Sequence, residues 1–447
     1  MSTILLLHLL ADFPISSRST LGMTYPVCIG PYCLPIKLGP PWSQPLSYTW
    51  PPCRRGVGKS SSPEQDGGSL AMEFRSDVVK RALQQITDQG RVDRELGLEL
   101  YRDSPMNELC MLANHIKERR HGKNVHFNLN LHVNTTNICV LACRFCAFRK
   151  GPKHEDAYAL STEQYLERVR PLASTIDEVH SVGGLHPEWR IEHYEEIYRA
   201  MKVEFPHISL KSLTAVEVKH IGKRSGLSIR ETLMRLRDSG LDSLPGGGAE
   251  ILVDGVRDRI CRGKESSDEY LSIHRTAHQL GIPTNCTMLF GTVETMADRI
   301  THLHLLRSLQ DETSGFQCFV PYPFLPDHTR LPEAQIPTGQ EVIRTIAISR
   351  IMLDNIPHLK AYRMNIGDHL ASIGILSGAD DIDGTVQQEE IMHAAGSTTP
   401  QNTGLEGLIR LIESTGQQAV QRNTVYTKFE PRTLKNLPQT RNLPVAG

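Results

Sequence analysis

Three cysteines, Cys139, Cys143 and Cys146, stand at C-x3-C-x2-C spacing in the run CVLACRFCAF, residues 139 to 148. A single loop can aim all three thiolates at a common centre, and no fourth cysteine follows nearby. A tetrahedral zinc site would need a fourth thiolate or imidazole from elsewhere. Haem attachment of the C-x-x-C-H kind is excluded, because Ala147 follows Cys146. An iron–sulfur cluster held by three cysteines would leave one iron open to a small molecule. The residues alone leave three readings: such a cluster, a zinc site, or unligated structural thiols. Cys261, Cys286 and Cys318 lack this grouping and read as core thiols.

Glycine-rich stretches recur downstream. In VGGLHP, Gly183 and Gly184 either let a ligand approach the backbone closely or simply turn the chain before a helix. In PGGGAEI, residues 245 to 251, Glu250 could accept from ribose hydroxyls or a substrate amine, or sit solvated on a flexible turn. TMLFGTVET places Gly291 at a strand end with Glu294 just behind it. His186, Lys211, Glu217, Arg363 and His369 form a pool of cations and general acids from which an anionic substrate could draw.

These residues need a scaffold, and the chain supplies a repeated alternation of strand and helix. Strands are predicted at 125–134, 176–184, 207–216, 241–248, 284–291, 315–324, 358–367 and 379–386. Five intervening helices carry an S/T-x-x-E/Q/D start signal: Ser161 with Gln164, Ser228 with Glu231, Ser266 with Glu269, Thr295 with Asp298, and Thr338 with Glu341. Eight strands with crossover helices imply parallel pairing and a closed α/β barrel of the (β/α)8 TIM type, with an open doubly wound sheet as the alternative. In a barrel the chemistry sits at the C-terminal ends of the strands, which puts the cysteine loop after strand one on the catalytic rim.

The expected organisation has four parts. Residues 1–71 are rich in Pro and Ser, show no sustained period and are expected to be disordered or an over-extended reading frame, with Met72 as the natural start. The opening MSTILLLHLLADF lacks the basic region and the clear cleavage site of a signal peptide. Residues 72–124 read as an N-terminal helical cap, 125–400 as the barrel, and 401–447 as a C-terminal helix, short extended segment and tail. The 447 residues are 39% hydrophobic, and 49 Lys and Arg balance 50 Asp and Glu, which argues against nucleic acid as a partner. No apolar run reaches the length of about 20 residues needed to span a membrane. Ten cysteines at irregular spacing fit reduced thiols and a cytoplasmic location.

The cysteine loop resembles the signature of the radical S-adenosylmethionine (SAM) superfamily, including aromatic Phe145 before the third cysteine. That resemblance implies a [4Fe-4S] cluster on Cys139, Cys143 and Cys146, with SAM chelating the open iron. It also implies SAM contacts from Gly183 and Gly184, although Leu185 and His186 replace the acidic residue of the GGE-type segment, and from Glu250, Gly291 and Glu294. Longer phrases, among them CAFRKGPKHEDAYALS, EVHSVGGLHPEW, LDSLPGGGAEIL and GTVQQEEIMHAAGSTTP, resemble the aminodeoxyfutalosine synthases of the futalosine route to menaquinone. Thr292 departs from the histidine-like residue of relatives, so a proton-relay role there has no support.

The implied activity adds the 5′-deoxyadenosyl radical to 3-[(1-carboxyvinyl)oxy]benzoate with loss of a carboxyl group, SAM serving as co-substrate. His186, Lys211 and Arg363 are the expected partners of the substrate carboxylates, and a flavodoxin or ferredoxin the expected electron donor. The sister families share several phrases: the dehypoxanthine futalosine cyclase and the tyrosine-using deazaflavin synthase. A simple iron–sulfur electron-transfer protein is the non-enzyme alternative.

Overall fold

The computed structural model describes residues 73–401 and 403–436, together with the backbone of one hairpin nearer the N-terminus. The chain divides into two units, Met1–Ala71 and Met72–Gly447. In the first, β1 (Tyr25–Ile29) pairs antiparallel with β2 (Tyr32–Ile36). Elsewhere the expectation of disorder or over-extension falls outside the described residues.

The second unit opens with α1 (Asp77–Gln89), α2 (Arg94–Asp103) and α3 (Met106–His121). The predicted first strand is split into β3 (Asn124–Phe127) and β4 (Asn130–His132). β3 pairs with strands from the end of the chain, whereas β4 joins the barrel wall. The break falls where the Leu129 carbonyl accepts the amides of both Asp177 and Glu178, at 2.8 and 3.2 Å.

After β4 come α4 (Thr162–Val169), β5 (Glu178–Ser181), α5 (Ile191–Glu204), β6 (Ser209–Ser212), α6 (Ala215–Ser225), α7 (Ile229–Ser239) and β7 (Leu241–Ser243). Next are α8 (Asp254–Ile260), α9 (Ser267–Gln279), β8 (Thr284–Phe290), α10 (Met296–Thr313), β9 (Phe316–Pro323), α11 (Gly339–Met352) and β10 (His358–Ala361). The chain continues with α12 (Arg363–Ile375), β11 (Asp381–Ile382), α13 (Ile391–Ala394), α14 (Leu405–Ser414), β12 (Gln418–Arg422) and β13 (Phe429–Arg432).

β4-β5-β6-β7 and β8-β9-β10-β11 are two parallel runs. Parallel bridges Leu244–Thr284 and Leu131–Gln387 join them at both seams, which closes the eight-stranded ring. The architecture is the TIM-type α/β barrel, not the open sheet. Outside the ring, β3 pairs with both β11 and β12, and β13 pairs antiparallel with β12.

Local sequence explains the helix starts. Four of the five expected caps form complete capping boxes, at Ser161, Ser228, Ser266 and Thr295. Thr338 caps α11 through the Glu341 amide alone, because the Glu341 carboxylate is taken by Arg299 Nη1 at 2.6 Å. A further box, Thr214 with Glu217, starts α6. The predicted strand 358–367 ends early, at Ala361. There the Arg363 amide donates to the Asp383 carboxylate at 2.5 Å and the chain turns into α12.

Candidate active site at the barrel mouth

At the C-terminal ends of the strands lies a cavity of about 270 Å³ whose wall includes Cys139, Cys143 and Cys146. The three thiols are unbridged. Burial pushes the Cys143 thiol up to about 12. Burial also raises Cys146, against the pull of the Arg149 and Phe148 backbone amides near its sulfur.

The stem of this loop is built into the barrel. The Gly184 amide donates to the Thr136 carbonyl at 2.7 Å, and the Val140 amide to the Leu185 carbonyl at 3.1 Å. A Cβ on Gly184 would stand 2.2 Å from the Ile138 carbonyl oxygen. Glycine is required there by the neighbouring backbone of the cysteine loop. Gly183 does line the cavity. Its amide donates to Glu217 Oε1 at 2.9 Å, and Glu217 Oε2 accepts from the Thr214 amide and hydroxyl at 2.7 Å each. Glu217 therefore fastens the rim loops after β5 and β6 together. Burial pushes its carboxyl up to about 7 against those donors.

Glu250 lines the cavity in a left-handed backbone conformation, φ +47°, and pairs with Lys264. Lys264 lies 5.8 Å from the centre of the Phe145 ring and is the one Lys or Arg among the described cavity-lining residues. Burial disfavours its ammonium form, but Glu250 and Glu265 outweigh burial and hold its pKa above the ordinary lysine value. Neither Lys264 nor the pairing was visible in the sequence. Lys264 sits two residues beyond Arg262, in a loop with no strand-end signal.

Several expected site residues lie elsewhere. His186 is not on the cavity wall: it stacks on Trp189 at 4.5 Å, and its Nδ1 accepts the Glu188 amide at 3.2 Å. Arg363 is fully buried at the start of α12. It binds Asp368 at 3.2 Å and the Thr403 hydroxyl at 3.0 Å, and stands 3.6 Å from Asp383. Lys211 sits beneath the cavity in a polar pocket of about 30 Å³, 3.5 Å from Glu178 and near Lys360 and Arg422. Gly291 and Glu294 form their own closed unit. Glu294 accepts the amides of Gly291 and Thr292 and the Thr292 hydroxyl, and pairs with Arg299 at 2.8 Å. Both oxygens of the carboxylate expected to meet SAM therefore have partners within the protein. His369 is exposed on α12.

His132 and His180 fill part of the wall instead. They are register partners on β4 and β5, stacked at 4.5 Å, and burial lowers them to about 3 and about 4, so both are neutral imidazoles. Their signal was present: polar residues at alternate positions of a strand point to one face, here the barrel interior. Tyr322, Tyr362, Asn365, Thr214, Thr287 and Glu389 add polar groups to the wall, while Val182, Leu185, Leu289 and Phe324 are among its apolar residues.

The radical SAM superfamily model matches residues 133–306, and the CofH/MqnC C-terminal region matches residues 313–435. The aminodeoxyfutalosine synthase of Thermus thermophilus is 40% identical over 344 residues, covering 75% of this chain and 92% of that protein. The chain is a radical SAM enzyme. The cyclic dehypoxanthine futalosine synthase of Streptomyces coelicolor is 37% identical over 359 residues, 78% of this chain and 89% of that protein. Methylornithine synthase shares the fold with a TM-score of 0.61 at 15% identity, over 76% of this chain and 96% of that one.

Membership of the radical SAM superfamily implies a [4Fe-4S] cluster and SAM, and this cavity suits both. Three unbridged thiols line one space, and because burial keeps two of them protonated, cluster binding would have to displace those protons. Beside them stand the Lys264 ammonium and the Glu250 carboxylate, matching the carboxylate and amine of an amino acid, and a second carboxylate, Glu389, also lines the cavity. No helix among the described residues is long and apolar enough to cross a membrane.

Proposed function

We propose that the chain is an aminodeoxyfutalosine synthase, joining the adenosyl group of SAM to 3-[(1-carboxyvinyl)oxy]benzoate with loss of a carboxyl group. The observation that carries this reading is the 40% identity to the Thermus thermophilus synthase across 92% of that protein, spanning both the barrel and the C-terminal extension.

Cys139, Cys143 and Cys146 would hold the cluster, whose chemistry is one-electron reduction of SAM to yield a carbon-centred adenosyl radical. Lys264 offers its ammonium to the SAM carboxylate, and Glu250 accepts from its amine or ribose. Val182, Leu185, Leu289 and Phe324 exclude water, which protects a radical and holds the alkene close to it. Because Lys264 serves SAM, the substrate carboxylates fall to uncharged donors: Tyr322, Tyr362, Asn365 and the neutral His132 and His180. Lys211 acts one layer below, holding that polar floor together through Glu178. An electron carrier such as flavodoxin or ferredoxin supplies the reducing electron.

The Streptomyces coelicolor cyclase supports a second reading, in which dehypoxanthine futalosine is the substrate. The test is anaerobic incubation of reduced, cluster-reconstituted protein with SAM and each substrate in turn, with products identified by mass. A carbon-bonded adenosine adduct formed only with the vinyl ether is expected. Free 5′-deoxyadenosine with consumption of dehypoxanthine futalosine would overturn the proposal.

A further inference from the structure

At the opposite end of the barrel, three imidazoles converge on one carboxylate oxygen. His121 ends α3, His126 lies in β3, His358 opens β10 and Asp380 immediately precedes β11. One ligand atom from each residue falls within a common span of 4.8 Å. From Asp380 Oδ2, the distances are 2.6 Å to His358 Nδ1, 3.4 Å to His126 Nδ1 and 3.5 Å to His121 Nε2. We propose that these four residues form a structural binding site for a divalent first-row cation, with Zn²⁺ the best match.

The geometry supports this. Zinc bound at about 2.0–2.1 Å by tetrahedral nitrogen and oxygen ligands sets neighbouring ligand atoms about 3.3 Å apart. Two of the three spacings stand near that value. The third is a hydrogen bond and needs to open by only about 0.7 Å. Only His358 Nδ1 hydrogen-bonds this oxygen; the His126 and His121 nitrogens stand 3.4 and 3.5 Å from it without bonding to it. Without metal, the His121 and His126 ring nitrogens donate sideways, to the Pro357 carbonyl at 3.0 Å and the Asp380 carbonyl at 2.9 Å. Binding shifts each ring proton to its other nitrogen and frees the lone pair, with no redox change. Three neutral imidazoles and one carboxylate leave the site with a single net positive charge.

The surroundings hold the ligands in place. Asp380 Oδ1 is occupied by Arg350 and by the Leu359 amide at 2.9 Å, which turns Oδ2 toward the rings. His358 stacks on Tyr426 at 4.1 Å, and His126 meets the edge of Phe429 at 5.3 Å. The ligands come from the N-terminal helices, the barrel base and its last strands, so one ion would clamp α3 to the ring. The N-terminal face of a barrel is where a stabilising role belongs.

The test uses the full-length chain carrying Cys139→Ser, Cys143→Ser and Cys146→Ser, so that the catalytic thiols bind no metal. After exposure to ZnCl2 and gel filtration, elemental analysis should find about one zinc ion per chain. X-ray absorption should show a nitrogen and oxygen shell with imidazole scattering and no sulfur. Adding His121→Gln and His126→Gln should remove at least nine-tenths of the zinc. Absence of zinc from the parent, a sulfur-containing shell, or zinc retained by the double histidine variant would each overturn the site. If the histidine variant fails to fold, the absorption spectrum of the parent decides.

Discussion

At the scale of single residues, the site works by matching charge to burial. Lys264 stays cationic because Glu250 and Glu265 outweigh its desolvation. His132 and His180 stay neutral because burial outweighs the pull of Glu178 on both and of Glu389 on His132. Glu217 carries the clearest consequence for pH. Its folded pKa, about 7, lies above the ordinary 4.5, so the folded state retains a proton that the unfolded state releases. The resulting stabilisation is complete below the unfolded value and is lost as pH rises through about 7. From that shift, unfolding free energy should fall by about 3 kcal/mol between about pH 4.5 and 7 on account of this group. Urea denaturation across that range should show the slope, and Glu217→Gln should flatten it. An unchanged slope in the variant would show that Glu217 is already ionised in the fold.

At the scale of elements, the stem of the cysteine loop depends on the segment after β5. Gly184→Ala would place a methyl group against the Ile138 carbonyl, which is fixed backbone and has little room to move. The loop should shift, with reconstituted iron content falling severalfold while far-ultraviolet circular dichroism stays as in the parent. Full iron content in this variant would mean that the stem tolerates displacement. Much of this level was legible in the sequence. The strand slots and the boxes at Ser161, Ser228, Ser266 and Thr295 rest on local patterns, which survive tertiary packing. Long-range pairings were not legible. Arg363 looked like a strand-end cation, but Asp383, twenty residues on, draws its backbone into a helix start. Glu294 looked free until Arg299 and its own turn claimed it. Lys264 acquires its role from Glu250, which only the folded loops bring near it.

At the scale of the whole molecule, the barrel is divided along its axis. The mouth holds the thiols and an apolar chamber; below it, Glu178, Lys211, Lys360 and Arg422 make a charged floor; at the base, Asp380 gathers three histidines. The Cys139–Cys143–Cys146 spacing announced the mouth because one short loop encodes it. The floor and base are assembled from strands scattered along the chain, so no local pattern reveals them. The central claim is that three thiolates present an iron with one position free for SAM. Electron paramagnetic resonance of the reduced, reconstituted protein tests it most directly. A [4Fe-4S] signal whose g values shift when SAM is added, and which disappears in Cys143→Ser, is the expected result. A cluster signal that SAM leaves unchanged, or no cluster on these three sulfurs, would contradict it.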